Sequence, residues 1–131
     1  MGFNVVQQSD WFRLESLAEA QWLMEAIRAE GWSIGLLSWT GPDAVAVLES
    51  LSIEHSPSVA PADGESAATW VLCVATREDS DGEIGITLVS TGHSVNVGLL
   101  PRASLNGSPA ARVLTRPVDW RDVASVLQRT H

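Results

Sequence analysis

Three segments in the second half of the sequence are rich in apolar and β-branched residues and follow one another closely. They are "TWVLCVATR" (69–77), "EIGITLVS" (83–90) and "HSVNVGLLP" (93–101). In the middle segment, Ile84, Ile86 and Leu88 share one face of an extended chain. The linking sequences "EDSDGE" and "TG" are typical of turns. Because short turns join antiparallel neighbours, these segments predict a β-meander with one covered face.

A segment in the first half of the sequence, "SLAEAQWLMEAIRAEG" (16–31), has the pattern of an amphipathic helix. Ser16 and Glu19 have the spacing of a capping box at its start, and Gly31 fits the position just beyond its end. Five apolar residues gather on one stripe at helical spacing. They are Leu17, Ala20, Leu23, Met24 and Ile27. We expect this stripe to face the core.

Shorter segments complete the predicted order of elements. They are extended pieces at 3–6 and 11–14, a strand at 32–39, a helix within 40–51, a short strand at 112–117 and a helix at 119–131. Thr40 or Gly41 can cap the second helix, and Pro42 suits its first position. Pro117 is expected to end the last strand, and Asp119 to cap the last helix.

Strands grouped in a run, with helices on either side of that run, indicate the α+β class rather than alternating βαβ units. We therefore predict a single domain over residues 1–131. Its antiparallel meander sheet has about four to five strands, with helices packed mainly on one face. Residues 55–68, "HSPSVAPADGESAA", contain turn-forming and polar residues and predict a flexible loop.

The net charge of −8 is unevenly distributed along the chain. Residues 1–65 carry the whole excess of acid, residues 66–131 are balanced, and lysine is absent. An acidic chain is not expected to bind nucleic acid directly, because neutralising phosphates requires Lys or Arg. It is expected to attract a basic protein surface. No apolar stretch reaches the ~18 residues of a membrane span and no secretory signal is present, so a cytoplasmic protein is expected.

The stretch "GWSIG" (31–35) matches the G-x-S-x-G nucleophile elbow of serine hydrolases, with Ser33 as the nucleophile. That elbow requires a strand followed by a helix, whereas here a predicted helix ends at Gly31 and a strand follows. The spacing of His55, His93 and His131 fits no zinc motif, and a P-loop is excluded because its lysine is missing. We therefore expect no catalytic residue, metal or cofactor, and we expect Cys73 to be a buried thiol.

Trp22 lies off the apolar stripe of the first predicted helix, on nearly the opposite side. It falls among alanines and is flanked by carboxylates, which are Glu19, Glu25 and Glu30. One interpretation is that a second layer of the chain covers this face. The other is an exposed aromatic anchor for a partner, because Trp is a preferred interface residue. Trp39, at a strand end beside Asp43, is the second candidate anchor.

These features favour a non-catalytic cytosolic module that binds a protein with a basic surface, such as a toxin, enzyme or effector. A toxin-neutralising immunity protein or another enzyme inhibitor fits best. One alternative is a secretion-chaperone-like homodimer, and another is a phage-type inhibitor that mimics the charge of nucleic acid. A last alternative is a ligand-binding or enzymatic domain with a pocket between sheet and helices. The predicted partner-binding residues are Trp22, Glu19, Glu25, Glu30, Trp39 and Asp43.

Overall fold

A computed structural model describes residues 8–41, 43–54, 68–79, 82–90 and 94–128. It confirms the predicted α+β class, with a six-stranded antiparallel sheet, one strand more than predicted. The strands are β1 (Asp10–Leu14), β2 (Ser33–Thr40), β3 (Thr69–Thr76), β4 (Glu83–Ser90), β5 (Val95–Leu100) and β6 (Pro117–Val118). The described α-helices are α1 (Leu17–Ala29), α2 (Ala44–Ser50) and α3 (Trp120–Gln128).

The predicted meander forms the middle of the sheet, whose strand order is β2-β3-β4-β5-β1-β6. Val71 lies opposite Leu88, and Leu88 opposite Val97, so apolar residues of three strands align across one face. On the far side of β5, β1 pairs with it through Phe12 and Val97. Apolar residues alternate with other residues along each strand. The register of strand pairing therefore places the apolar residues of neighbouring strands on the same covered face of the sheet.

The main core lies between this sheet face and the two helices α1 and α2, together with a 3₁₀ helix at Pro109–Val113. The predicted apolar stripe of α1 is confirmed, because four of its five residues are fully buried. These are Ala20, Leu23, Met24 and Ile27, while Leu17 is partly buried against them.

The opposite sheet face carries a second, smaller apolar cluster. Trp11 alternates along β1 with the core residue Phe12, so its ring lies on the other side of the sheet. There it rests on Gly98, where an added Cβ would come within 2.8 Å of the indole. Trp120 of α3 packs against Trp11 with ring centroids 5.9 Å apart and ring planes tilted by 33°, and Val123 is buried beside them. The two helices α1 and α2 thus share one face, and α3 is the exception.

Gly31 makes the junction between α1 and β2. Its φ of +95° is a left-handed conformation that residues with a Cβ rarely adopt. Its amide donates to the carbonyl of Arg28 at 2.9 Å, which closes the last turn of the helix. The predicted change from helix to strand within "GWSIG" is therefore confirmed.

The predicted strand at 112–117 is wrong. Residues Pro109–Val113 form a 3₁₀ helix, and the strand β6 begins at Pro117 instead of ending there. Pro117 lies opposite Phe12 in the outermost described strand on that side, where its missing N–H costs no ladder bond. Another 3₁₀ helix lies at Arg102–Leu105.

Other predicted boundaries need smaller corrections. The N-cap of α2 is Asp43, so neither Thr40 nor Gly41 caps it, while Pro42 lies outside the described residues. The extended piece at 3–6 and residues 55–67 of the predicted loop also lie outside them, and Ala68 is buried. The cap of α3 is as predicted, because Asp119 accepts a hydrogen bond from the amide of Arg121 at 2.9 Å.

Candidate functional site

Helix α1 begins with one of the two hydrogen bonds of the predicted capping box, and the second goes to the residue before the N-cap. The amide of Glu19 donates to Oγ of Ser16 at 3.4 Å, and the Glu19 carboxylate accepts from the amide of Glu15 at 3.2 Å. On one flank, Gln21 donates to the carbonyl of Ser50 at the end of α2. On the same flank, Arg28 donates to the carbonyl of Leu51 at 2.9 Å. These contacts fix the rotation of α1 about its own axis. That rotation decides which side chains of the helix point away from the sheet.

Trp22 is the most prominent side chain on the outward face of α1. Its relative exposure is 46%, so the described chain does not cover this face with a second layer. Ala18 and Ala29 are exposed on the same side of the helix, and Glu25 is exposed one turn from the indole. An exposed indole beside small residues and a carboxylate is a surface that another protein can contact closely. We call the residues Ala18, Trp22, Glu25 and Ala29 the α1 outer face.

Glu19, by contrast, is engaged within the chain. Its carboxylate accepts a short hydrogen bond from Nη2 of Arg116, and Nη1 of the same guanidinium lies 3.3 Å from Glu15. The hydrogen bond to Glu19 is the main cause that raises the pKa of Arg116 above its ordinary value. Arg116 also donates from Nε to the carbonyl of Arg13 at 3.2 Å. The structure thus gives Glu19 a role in tying α1 to the segment before β6.

The remaining predicted residues do not gather around Trp22. Glu30 is exposed at the end of α1, two turns along from Trp22. Trp39 is partly buried and packs against the main core, on the side of α1 opposite its outer face. Asp43 is exposed at the start of α2, where its amide donates to Oγ1 of Thr69 at 3.2 Å. Of the six predicted residues, the outer face therefore holds Trp22 and Glu25.

Ser33 of "GWSIG" lines a polar cleft where α1 meets β2. The other polar side chains of this cleft include Glu30, Arg77, Glu78 and Asp79. The Arg77 guanidinium lies 4.6 Å from the centroid of the Trp32 ring, and its Nε is 2.7 Å from Asp79 without pointing at the carboxylate. No histidine belongs to the described lining of the cleft. Arg77 holds the junction together, since its guanidinium also donates to the carbonyl of Glu30 at 3.5 Å.

Cys73 is confirmed as a buried thiol in the middle of β3. Burial raises its pKa from 9.0 to about 12, and the positive charge of Arg28 offsets part of that effect. A thiol with this pKa is protonated near neutral pH and is a poor nucleophile. Within the described part of the chain, no group of three or more His, Cys, Asp or Glu side chains could hold a metal ion.

Sequence reasoning missed Leu37, which has the highest exposure of the large apolar side chains described, at 55%. It is the extra residue of a β-bulge, since Leu36 lies opposite Cys73 and Ser38 lies opposite Leu72. The sequence does carry a signal for it. Ile34 and Leu36 are two positions apart and so lie on the same face of an extended strand. Trp39 follows Leu36 by three positions, which indicates one inserted residue between Leu36 and Trp39 if all three share that face.

Comparison with protein-family models, curated proteins and solved structures found no match for this chain. None of the described helices has the length and apolar character needed to cross a membrane.

Proposed function

We propose that this chain is a non-catalytic protein-binding module that engages a basic protein surface through the α1 outer face. The observation that carries the proposal is the exposure of Trp22. An indole ring has a higher free energy in water than in a buried site. An interface that covers the ring is therefore stabilised by the burial of its apolar surface. Tryptophans of this kind supply much of the binding energy at protein interfaces.

Charge supports a basic partner. Glu25 is exposed beside Trp22, and Glu30 is exposed further along the helix. Neither forms an ion pair with another described residue. Residues 1–65, which include this helix, carry ten acids and two arginines and so contribute a net negative field. Such a field speeds association with a basic surface and disfavours acidic competitors.

An inhibitor or toxin-neutralising immunity protein fits these properties best, acting in the cytoplasm. A binder of this kind needs a rigid scaffold and one anchored surface, and it needs no catalytic group. The structure offers α1 held to the sheet by its buried stripe, with the anchor on the free side.

The test is quantitative binding with a purified partner. A partner captured by the chain from its host is purified, and its affinity for wild-type and Trp22→Ala chains is compared by calorimetry. Loss of the indole should weaken binding by about 2 kcal/mol or more. The melting temperature should stay nearly unchanged, because Ala is favourable at an exposed helix position.

Val45→Ala is the matched control, since Val45 is an apolar residue of α2 with 42% exposure. It should bind as the wild type does. Glu25→Gln should reduce the association rate and make that rate less dependent on salt. The dissociation rate should change less than the association rate. Wild-type affinity of the Trp22→Ala chain would exclude the α1 outer face as the binding surface.

A further inference from the structure

Strand β2 forms an open edge of the sheet. Among the described strands it pairs with β3 alone, and its eight residues "SIGLLSWT" contain neither a charge nor a proline. Proteins usually protect sheet edges with short strands, charges or proline. The opposite edge follows this rule, because β6 has two residues and begins with Pro117. The long neutral edge of β2 therefore presents unpaired backbone groups to a further strand.

The bulge divides this edge into two parts. Ser33–Leu36 continues the regular pairing with β3, and Leu37 interrupts it. Beside this stretch, Leu72 and Val74 of β3 are half-buried, on the face opposite the buried Val71 and Cys73. An incoming strand that pairs with 33–36 would therefore find exposed apolar area at Leu37, and Val74 of β3 lies one strand further in, opposite Gly35, which has no side chain. Backbone hydrogen bonds and apolar contacts together are the basis of β-strand addition.

Acidic side chains lie at both ends of the neutral edge. At the Ser33 end, Glu30, Glu78 and Asp79 line the same cleft as Ser33, with Arg77 as the single described cation. At the Thr40 end, Asp43 is exposed. A strand docked along β2 thus has its middle next to uncharged residues and its two ends next to carboxylates.

This charge distribution decides between two occupants. If two copies of the chain paired antiparallel through β2, the acidic Ser33 end of each would meet the acidic Thr40 end of the other. Like charges across an interface oppose association. We infer that the β2 edge binds an extended segment of a partner protein, with a β-branched middle and Lys or Arg at both ends. This site is separate from the α1 outer face and does not depend on the function proposed for it.

The test uses a synthetic peptide with alternating Val and Thr in its centre and two basic residues at each end. It is titrated into the ¹⁵N-labelled full chain at low salt. We expect amide shifts centred on Ser33–Leu36 and slower hydrogen exchange there. A peptide of the same sequence with N-methylated central residues should not bind, because it cannot complete the ladder.

Two pairs of variants test the contacts. Leu37→Lys removes apolar contact area at the bulge and adds a positive charge there, so it should weaken binding of the basic peptide, whereas Val45→Lys, at a comparably exposed apolar site, should not. The double variant Glu30→Gln with Asp43→Asn should weaken binding about fivefold, since exposed ion pairs contribute little each. The control double variant Glu49→Gln with Asp122→Asn makes the same change in net charge at exposed helix positions and should bind normally.

Three results would overturn the inference. One is the absence of shifts in β2 up to millimolar peptide. Another is equal binding of the N-methylated peptide or of the Leu37→Lys chain. The third is that the free chain forms a concentration-dependent dimer in sedimentation experiments, and that the amides of Ser33–Leu36 are protected from hydrogen exchange in this dimer. The Trp22→Ala chain should bind the peptide with wild-type affinity, which separates this site from the α1 outer face.

Discussion

Cys73 shows how burial sets the chemistry of a single residue. Its thiol lies in the core face of β3, opposite Leu36 on one neighbour and Ile86 on the other. Ionising it there would place a thiolate among apolar side chains, and the pKa rises to about 12 for that reason. The folded chain thus keeps this proton to a much higher pH than the unfolded chain does.

This difference predicts that stability falls at alkaline pH. Below pH 9.0 the thiol is protonated in both states, so the full stability is present. As the pH rises from 9.0 toward about 12, the unfolded chain loses the proton first and unfolding becomes easier. The free energy of unfolding should fall by about 1.4 kcal/mol per pH unit in that range, as measured by urea denaturation.

The chain is suited to this measurement because it contains neither lysine nor tyrosine, the residues that ordinarily titrate there. Cys73→Ala should have a nearly flat profile over the same range, although its stability near neutral pH will be lower. If Cys73→Ala keeps the same slope, the pH dependence belongs to other groups.

At the scale of elements, α1 depends on a local start signal. Ser16 accepts the hydrogen bond from Glu19 and so satisfies one of the free amides of the first turn. Ser16→Ala should lower the free energy of unfolding by about 1 kcal/mol. Ser16→Asp retains an acceptor and adds a favourable charge at the helix N-terminus, so it should stay close to the wild type. Chemical denaturation of the three chains checks this, and equal losses in both variants would contradict capping.

Elements whose signals are local could be predicted from the sequence, and those formed by distant contacts could not. The capping box, Gly31 and the apolar stripe identify α1, and turn sequences separate the strands of the meander. By contrast, β6 exists because Pro117 and Val118 meet β1 across the fold. Read alone, Pro117 indicates the end of a strand, and its place at the sheet edge is not visible in the local sequence.

The candidate site divides in the same way. The position of Trp22 on the outward side of α1 follows from helical periodicity, because its spacing from Leu23 and Ile27 is local. The engagement of Glu19 does not, since its partner Arg116 is 97 positions away. The packing of Trp39 against the core is likewise not visible in a simple alternation, because the bulge at Leu37 changes which face it occupies.

At the scale of the whole molecule, α3 and the sheet face beneath it make a second layer of burial. Val123 is 1% exposed and packs with Trp11 and Val89. Val123→Ala should lower the free energy of unfolding by about 2 kcal/mol, from lost apolar burial and the cavity left behind. Ser125→Ala, at an exposed position of the same helix, is the control and should have almost no effect.

Near-ultraviolet circular dichroism gives an independent readout, because the contacting pair Trp11 and Trp120 should contribute to it. In Val123→Ala this signal should weaken before the far-ultraviolet signal does during thermal unfolding. Simultaneous loss of both signals would mean that α3 does not come away from the sheet separately.

The position of β1 has a consequence for how each molecule is made. Its described partners are β5 and β6, and about 80 residues separate Leu14 from Val95. At the usual speed of translation, 5–20 residues per second, the ribosome needs roughly 4–16 s to synthesise that interval. During this time Phe12 and Leu14 have no strand to pair beside, and every nascent chain carries an unpaired apolar segment that a ribosome-bound chaperone can recognise.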